Sequence, residues 1–244
     1  MNLLLIEKSQ ILPTDPTDSL LKAKIEGRQL QHLLTIHKAQ QGDTLKVGLK
    51  NGQTGTGRIE HLNNAEAILT ITLTDEPPDA LPVKLIIGLP RPKMLKRIIQ
   101  HASAMGVKEI HFINSFKVEK SFWSSPWLGT EKLEENLILG LEQAEDTRMP
   151  QIYLHKLFKP FVEDKLPEIS ANTQKWVAHP RVDSACPVAT TQPTTLVIGP
   201  EGGFTEYEVG KFEEQGFSTF HMGSRILRVE TAIPALLAKL FPFA

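Results

Sequence analysis

Hydrophobic residues in the first third of the chain come in short runs separated by glycine and polar turns: LLLI (3–6), DTLKVGL (43–49) and AEAILTITL (65–73). In AILTITL apolar and polar positions alternate with period two, which predicts a strand with one buried face. Asn51-Gly52, between two such runs, is a hairpin-turn signal. One segment, GRQLQHLLTIHK (27–38), carries helical spacing instead. Residues 1–74 therefore read as a small antiparallel barrel or sheet. DEPPDALP (75–82), dense in proline and acids, reads as a linker.

From residue 83 onward strand patterns alternate with helical ones. VKLIIGL (83–89) is a continuous apolar run, and KMLKRIIQHASAM (93–105) sets Leu95, Ile98, Ile99, Ala102 and Met105 on one helical face. VKEIHFI, IYLH, KWVAH, TTLVI and FSTFHM follow as strands, with helical patterns between them and a last helix through ETAIPALLAKLF (230–241). This order predicts an α/β domain over 83–244 with a mostly parallel sheet covered on both faces.

Ligands of such sheets bind beyond the carboxyl ends of the strands. Three unusual loops lie there: HPRVDS (179–184), GPEGGFT (199–205) and GSRILRVE (223–230). In the second, glycines allow close backbone approach and Pro200 stiffens the turn. Thr205 and Glu208 have capping-box spacing, so a helix starts there. The loop lacks the lysine and spacing of a nucleotide-binding P-loop, and Glu201 would repel a phosphate. In the third loop, Pro234 is tolerable only near a helix start, which places Arg228 and Glu230 at the edge of that helix. Those two charges fit either a surface ion pair or a site.

Bulk charge argues for no partner: 27 Lys and Arg stand against 28 acids, a net charge of −1. A local basic segment exists, however, with Arg91, Lys93, Lys96 and Arg97 inside RPKMLKR, and such a run can bind phosphates. Trp123 and Trp127 follow in SFWSSPW, suited to base stacking or to packing. The lone cysteine, Cys186, excludes an internal disulfide framework and a multi-thiolate metal site, and it fits a reducing compartment. No run approaches the ~20 apolar residues of a membrane span. The expectation is a cytoplasmic protein without a metal.

Taken together, LVIGPEGGFTEYE, MGSRILRVETA and the preceding HP at 179–180 resemble the RsmE family of 16S ribosomal RNA uridine-N3 methyltransferases, within the SPOUT (trefoil-knot) superfamily. The likeness extends upstream through LPRPKMLKRIIQHASAMGVKEIHFINSFKVEKS and LEQAEDTRMPQI. It implies a C-terminal SPOUT domain with a knotted cofactor site over 83–244, and a PUA-like RNA-binding domain over 1–74. The activity implied is S-adenosylmethionine-dependent methylation of N3 of one uridine of 16S rRNA in the small ribosomal subunit, position 1498 in the family. The resemblance places the cofactor against Ala178, His179, Ile198, Gly199, Pro200, Gly202, Gly203, Met222, Gly223, Ile226 and Leu227. Arg228 and Glu230 become the catalytic candidates, and Arg91, Lys93, Lys96 and Arg97 the RNA contacts. A homodimer is implied as well, with Leu236, Leu237, Leu240 and Phe241 suited either to its interface or to the core. The chain departs from the family at Glu145-Asp146, where Gly-Arg is frequent. Alternatives are the same chemistry on another RNA, or a catalytically idle RNA-binding protein of ribosome assembly.

Overall fold

The computed structural model describes residues 2–13 and 20–242. They divide into two compact units, one of residues up to 79 together with 138–149, the other of residues 80–137 and 150 onward.

In the first unit, β1 (Leu4–Ile6), β2 (Leu21–Ile25), β3 (Thr44–Leu49), β4 (Thr54–Leu62) and β5 (Ala67–Asp75) form a sheet in the order β1-β3-β4-β5-β2. α1 (Gly27–His32), continued by a π-helical segment Leu33–His37, interrupts them. The alternation seen in the sequence is real: Ala67, Leu69 and Ile71 of β5 are buried among Ile25, Leu30, Val47 and Ile59. Asn51 takes a left-handed φ of 59° between β3 and β4, which asparagine tolerates better than most residues. The expected antiparallel sheet needs one correction, because β1 runs parallel to β3, with Leu4 opposite Val47. A parallel partner must come from a distant segment, so no hairpin signal marks this pair.

The second unit contains β6 (Val83–Gly88), α2 (Pro92–Ala104), β7 (Glu109–Ile113), α3 (Thr130–Ala144, its end counted with the first unit), β8 (Gln151–His155), α4 (Phe158–Pro160), α5 (Leu166–Ile169), β9 (Gln174–Ala178), β10 (Thr194–Ile198), α6 (Glu206–Glu214), β11 (Ser218–Phe220) and α7 (Val229–Leu240). Its six strands are all parallel, in the order β11-β9-β10-β6-β7-β8. Ile86, Val177 and Val197 pack on one face against Phe161, Leu166 and Phe212 from the α4–α5 stretch and α6. Leu85, Ile87, Leu196 and Ile198 alternate with them toward the other face. α2 begins with Pro92 at its first position and buries Leu95, Ile98, Ile99 and Ala102; Met105, expected on the same face, lies beyond the last turn and is only partly covered. α2 packs on α7. Leu236, Leu237, Leu240 and Phe241 are buried within the single chain, which assigns them to its core.

Register positions the functional end. Ile198 lies opposite both Ala178 and Ile87, and Phe220 lies opposite Ala178. The carboxyl ends of β9, β10 and β11 are therefore level, and the three loops singled out in the sequence leave the sheet side by side.

Candidate active site

Those loops enclose a cavity of about 520 Å³, within the usual range for a small-molecule site. All eleven residues that the resemblance assigns to the cofactor line it, joined by Lys117, Arg181, Phe204, Arg225, Val229 and Leu236. The wall is mainly backbone and aliphatic carbon, with a few charged side chains at its edge.

The GPEGGF loop owes its shape to tight packing. A Cβ on Gly88 would lie 2.5 Å from Cδ and 2.6 Å from N of Pro200, so the end of β6 can abut the loop only as glycine. Gly203 has φ +72°, the left-handed region that glycine enters without strain. Three side chains then pin the loop. Glu201 Oε1 accepts from the backbone N–H of Arg91 (3.1 Å) at the start of α2. Lys117 Nζ donates to the Gly202 carbonyl (2.8 Å), and its carbon chain lies where a Cβ on Gly202 would fall. Glu208, only 3% exposed, accepts from the Thr205 N–H and hydroxyl at 2.8 and 2.9 Å and from the Phe116 N–H at 2.7 Å. The capping box read from the sequence thus has a second task, tying α6 to the loop after β7.

The third loop turns at Gly223, with φ +110°, whose N–H donates to His221 Nδ1 (2.9 Å). Arg228 is the N-cap of α7, and its carbonyl accepts from both Thr231 and Ala232. Pro234 sits in the second turn and leaves the Glu230 carbonyl without its helical donor. Arg228 is exposed and Glu230 half-buried; neither lines the cavity wall, although Leu227 and Val229 beside them do. No ion pair joins the two among the described residues.

His179 is half-buried in the wall. Burial, and then the charges of Lys117 and Arg181, hold its pKa below the ordinary histidine value, so the ring is neutral at pH 7. Cys186 is buried, and burial raises its thiol pKa, as befits an inert residue. Arg91, Lys93, Lys96 and Arg97 stand exposed on α2, outside the cavity. Trp123 is tied inward by Nε1 to Asn114 Oδ1 (3.0 Å). At the site of the family departure, Glu145 has a φ of 58°, a conformation suited to glycine, and Asp146 is buried with Oδ1 accepting from the Arg148 N–H (2.9 Å). Among the described residues no cluster of His, Cys, Asp and Glu has the makings of a metal site, and no helix is long and apolar enough to cross a membrane.

Sequence reasoning overlooked Lys117 and the second bond of Glu208. Lys117 lies inside a stretch that carries the resemblance, but no local spacing marks it as a neighbour of Gly202, 85 residues away.

Comparison with known proteins bears on the family and the fold. A family profile described as "RNA methyltransferase domain" matches residues 77–240. Ribosomal RNA small subunit methyltransferase E of Treponema pallidum is 29% identical over 98% of this chain and 90% of its own length. Ribosomal RNA small subunit methyltransferase E 1 of Borreliella burgdorferi is 27% identical over 85% of this chain and 87% of its own length. Among solved structures, ribosomal RNA small subunit methyltransferase E of Neisseria gonorrhoeae bound to S-adenosyl methionine superposes with a TM-score of 0.72 at 20% identity, covering 97% of this chain and 95% of that one. A methyltransferase of Legionella pneumophila in complex with S-adenosylmethionine gives 0.73 at 19% identity, covering 98% and 96%. At these identities the superpositions speak for the fold, and the profile match over most of the chain fixes the rest: this chain belongs to the RNA methyltransferase domain family.

Proposed function

We propose that this protein uses S-adenosylmethionine to methylate N3 of one uridine of 16S ribosomal RNA in the small ribosomal subunit. The observation that carries this reading is the gathering of eleven residues, from three separate stretches of sequence, on one cavity. The cavity suits the cofactor: its backbone wall, kept bare of Cβ atoms at Gly199, Gly202 and Gly203, offers N–H and carbonyl groups for a purine, and Ile198, Leu227 and Leu236 offer apolar contact. The relatives named above as ribosomal RNA small subunit methyltransferases support the choice of substrate.

When bound, S-adenosylmethionine supplies a methyl group already activated by its sulfonium. The protein's task is to deal with the proton on uridine N3. As that proton leaves, negative charge spreads onto O2 and O4, and a fixed cation nearby stabilises it. Arg228, exposed at the start of α7 next to two residues of the cavity wall, supplies that field. Glu230, two residues on, orients Arg228 or relays the proton. The exposed cations Arg91, Lys93, Lys96 and Arg97 hold RNA phosphates. Residues 1–74, as a PUA-like domain joined through 75–82, add RNA contact. Two copies act together as a homodimer, through residues other than the buried Leu236, Leu237, Leu240 and Phe241.

The test is mass spectrometry of 16S rRNA from a deletion strain, complemented with wild-type protein or with Arg228→Ala. The deletion removes one 3-methyluridine, and wild type restores it. Purified Arg228→Ala binds S-adenosylmethionine normally by calorimetry and loses ~10²-fold or more in kcat, the scale of one electrostatic stabiliser. Persistence of all 3-methyluridine in the deletion strain refutes the substrate; wild-type kcat in Arg228→Ala refutes the role of that residue.

A further inference from the structure

Trp127 is a partly exposed aromatic residue of the second unit. It sits in a single helical turn, Pro126–Leu128, that packs against α2, and Ser125 Oγ accepts its backbone N–H (3.3 Å). The turn is stiffened by Pro126, so the indole is presented from a rigid base. Its side chain is 38% exposed, a large area for tryptophan, and its Nε1–H has no partner among the described residues. Trp123, four residues earlier, satisfies the same group with Asn114. Two ammonium groups border the ring of Trp127: Lys96 Nζ from α2 at 5.7 Å and Lys132 Nζ from α3 at 6.0 Å from the centroid. Both lie near the outer limit of a cation–π contact.

The charge around the ring is one-sided on the α2 flank. Arg91, Lys93, Lys96 and Arg97 are all exposed, no acid lies between residues 91 and 104, and no ion pair engages these four among the described residues. Lys132 is braced by Glu135 Oε2 at 2.7 Å. A rigid, partly exposed aromatic ring flanked by Lys96, which no acid pairs among the described residues, and by Lys132 beside Glu135 matches the chemistry of single-stranded nucleic acid, where bases stack and phosphates lie on either side. A protein partner is the poorer match, since the cores of protein interfaces are depleted of lysine.

We propose that Trp127 is a stacking platform for an unpaired RNA base, with Lys96 and Lys132 moving from the ring to the flanking phosphates when the base arrives. This rests on the RNA-methylating function proposed above and extends it to a second contact, outside the cavity, that holds single-stranded RNA beside the basic face of α2.

The probe is a short single-stranded uridine-rich oligoribonucleotide, titrated into full-length protein and followed by tryptophan fluorescence. In the double variant Trp123→Phe/Trp176→Phe, where Trp127 is the remaining tryptophan, RNA quenches the emission. Trp127→Leu weakens binding about five- to hundred-fold, the worth of one base–aromatic stack, and Trp127→Phe keeps most of the affinity. The salt dependence of binding is unchanged in Trp127→Leu and shallower in Lys96→Gln. Undiminished RNA affinity in Trp127→Leu, or no quenching in the double variant, overturns the proposal. So does a change of oligomeric state in Trp127→Leu or Trp127→Phe without a change in RNA affinity, because the ring then serves a protein contact. Quenching that persists in a protein unable to methylate 16S rRNA supports the platform while refuting the proposed activity, so the two fail separately.

Discussion

Single residues at this site are constrained by near contacts that no property of the residue itself reveals. Gly88 looks like an ordinary end to an apolar run, yet its missing Cβ is what lets Pro200 pack directly against the end of β6. Gly88→Ala must push the loop away, since the atoms it meets belong to a proline ring and its backbone nitrogen. We expect the variant to lose ~1–3 kcal/mol of stability in urea titration, the usual cost of overpacking, and to bind S-adenosylmethionine several-fold more weakly by calorimetry. Glu201 illustrates the reverse case. In the sequence its carboxylate is awkward beside a glycine loop of anion-binding appearance; in the structure it accepts the Arg91 N–H and fastens that loop to the start of α2.

Among elements, the capped start of α6 does more than begin a helix. Glu208 is buried and accepts three hydrogen bonds, two from Thr205 and one from Phe116 in the loop after β7. Glu208→Ala removes a helix cap, worth ~0.5–2 kcal/mol, and strands the Phe116 N–H, worth ~1–3 kcal/mol. A combined loss of ~2–4 kcal/mol is expected in equilibrium unfolding, whereas Glu208→Gln, which keeps one acceptor oxygen, loses less. A loss below ~1 kcal/mol in the alanine variant argues against the tie to Phe116. The sequence disclosed the Thr205 half of this arrangement because capping boxes are local, with a fixed spacing of three. The Phe116 half spans 92 positions and has no local mark. The same distinction explains β1 and β3, where local turn chemistry promised antiparallel neighbours and a distant strand supplied a parallel one.

At the scale of the whole molecule, four histidines make stability depend on pH. In the second unit His111 Nε2 lies 2.9 Å from Glu109 Oε1, and its Nδ1 lies 3.0 Å from His155 Nε2. A carboxylate accepts only, so His111 carries its proton on Nε2, and His155 donates from Nε2 to His111 Nδ1. Burial, then the charges of His111 and Lys165, push the His155 pKa down to about 4; burial first of all lowers those of His32, His111 and His179. The folded values lie below the unfolded one, so the unfolded chain takes up protons first. These groups therefore cost nothing well above pH 6.5, and stability declines as pH falls from about 6.5 toward 4. His155 adds no further slope below about 4. Thermal unfolding between pH 7 and 4 should show the decline, and His155→Gln, which keeps a donor to His111 without titrating, should flatten its lower half. An unchanged pH profile in that variant means that the fold does not depress the pKa of His155.

The elements and their chemistry were written locally along the chain. Period-two and helical spacings are consequences of backbone geometry, glycine and proline act on their own turns, and a helix cap needs only its neighbours, so the alternation of strands and helices after residue 83 and the three unusual loops were all legible from one chain. Which of those loops meet depends on the order of the strands in the folded sheet. Strand order β11-β9-β10-β6 sets Ala178, Ile198 and Phe220 level, and only then do Lys117, Glu201 and Glu208 find partners far along the chain. The fold also drew Leu236, Leu237, Leu240 and Phe241 into the core and left Trp127 bare beside its lysines. An apolar side chain is driven out of water equally well by its own fold or by a partner, so hydrophobicity cannot tell the two apart; the packing of the folded chain can.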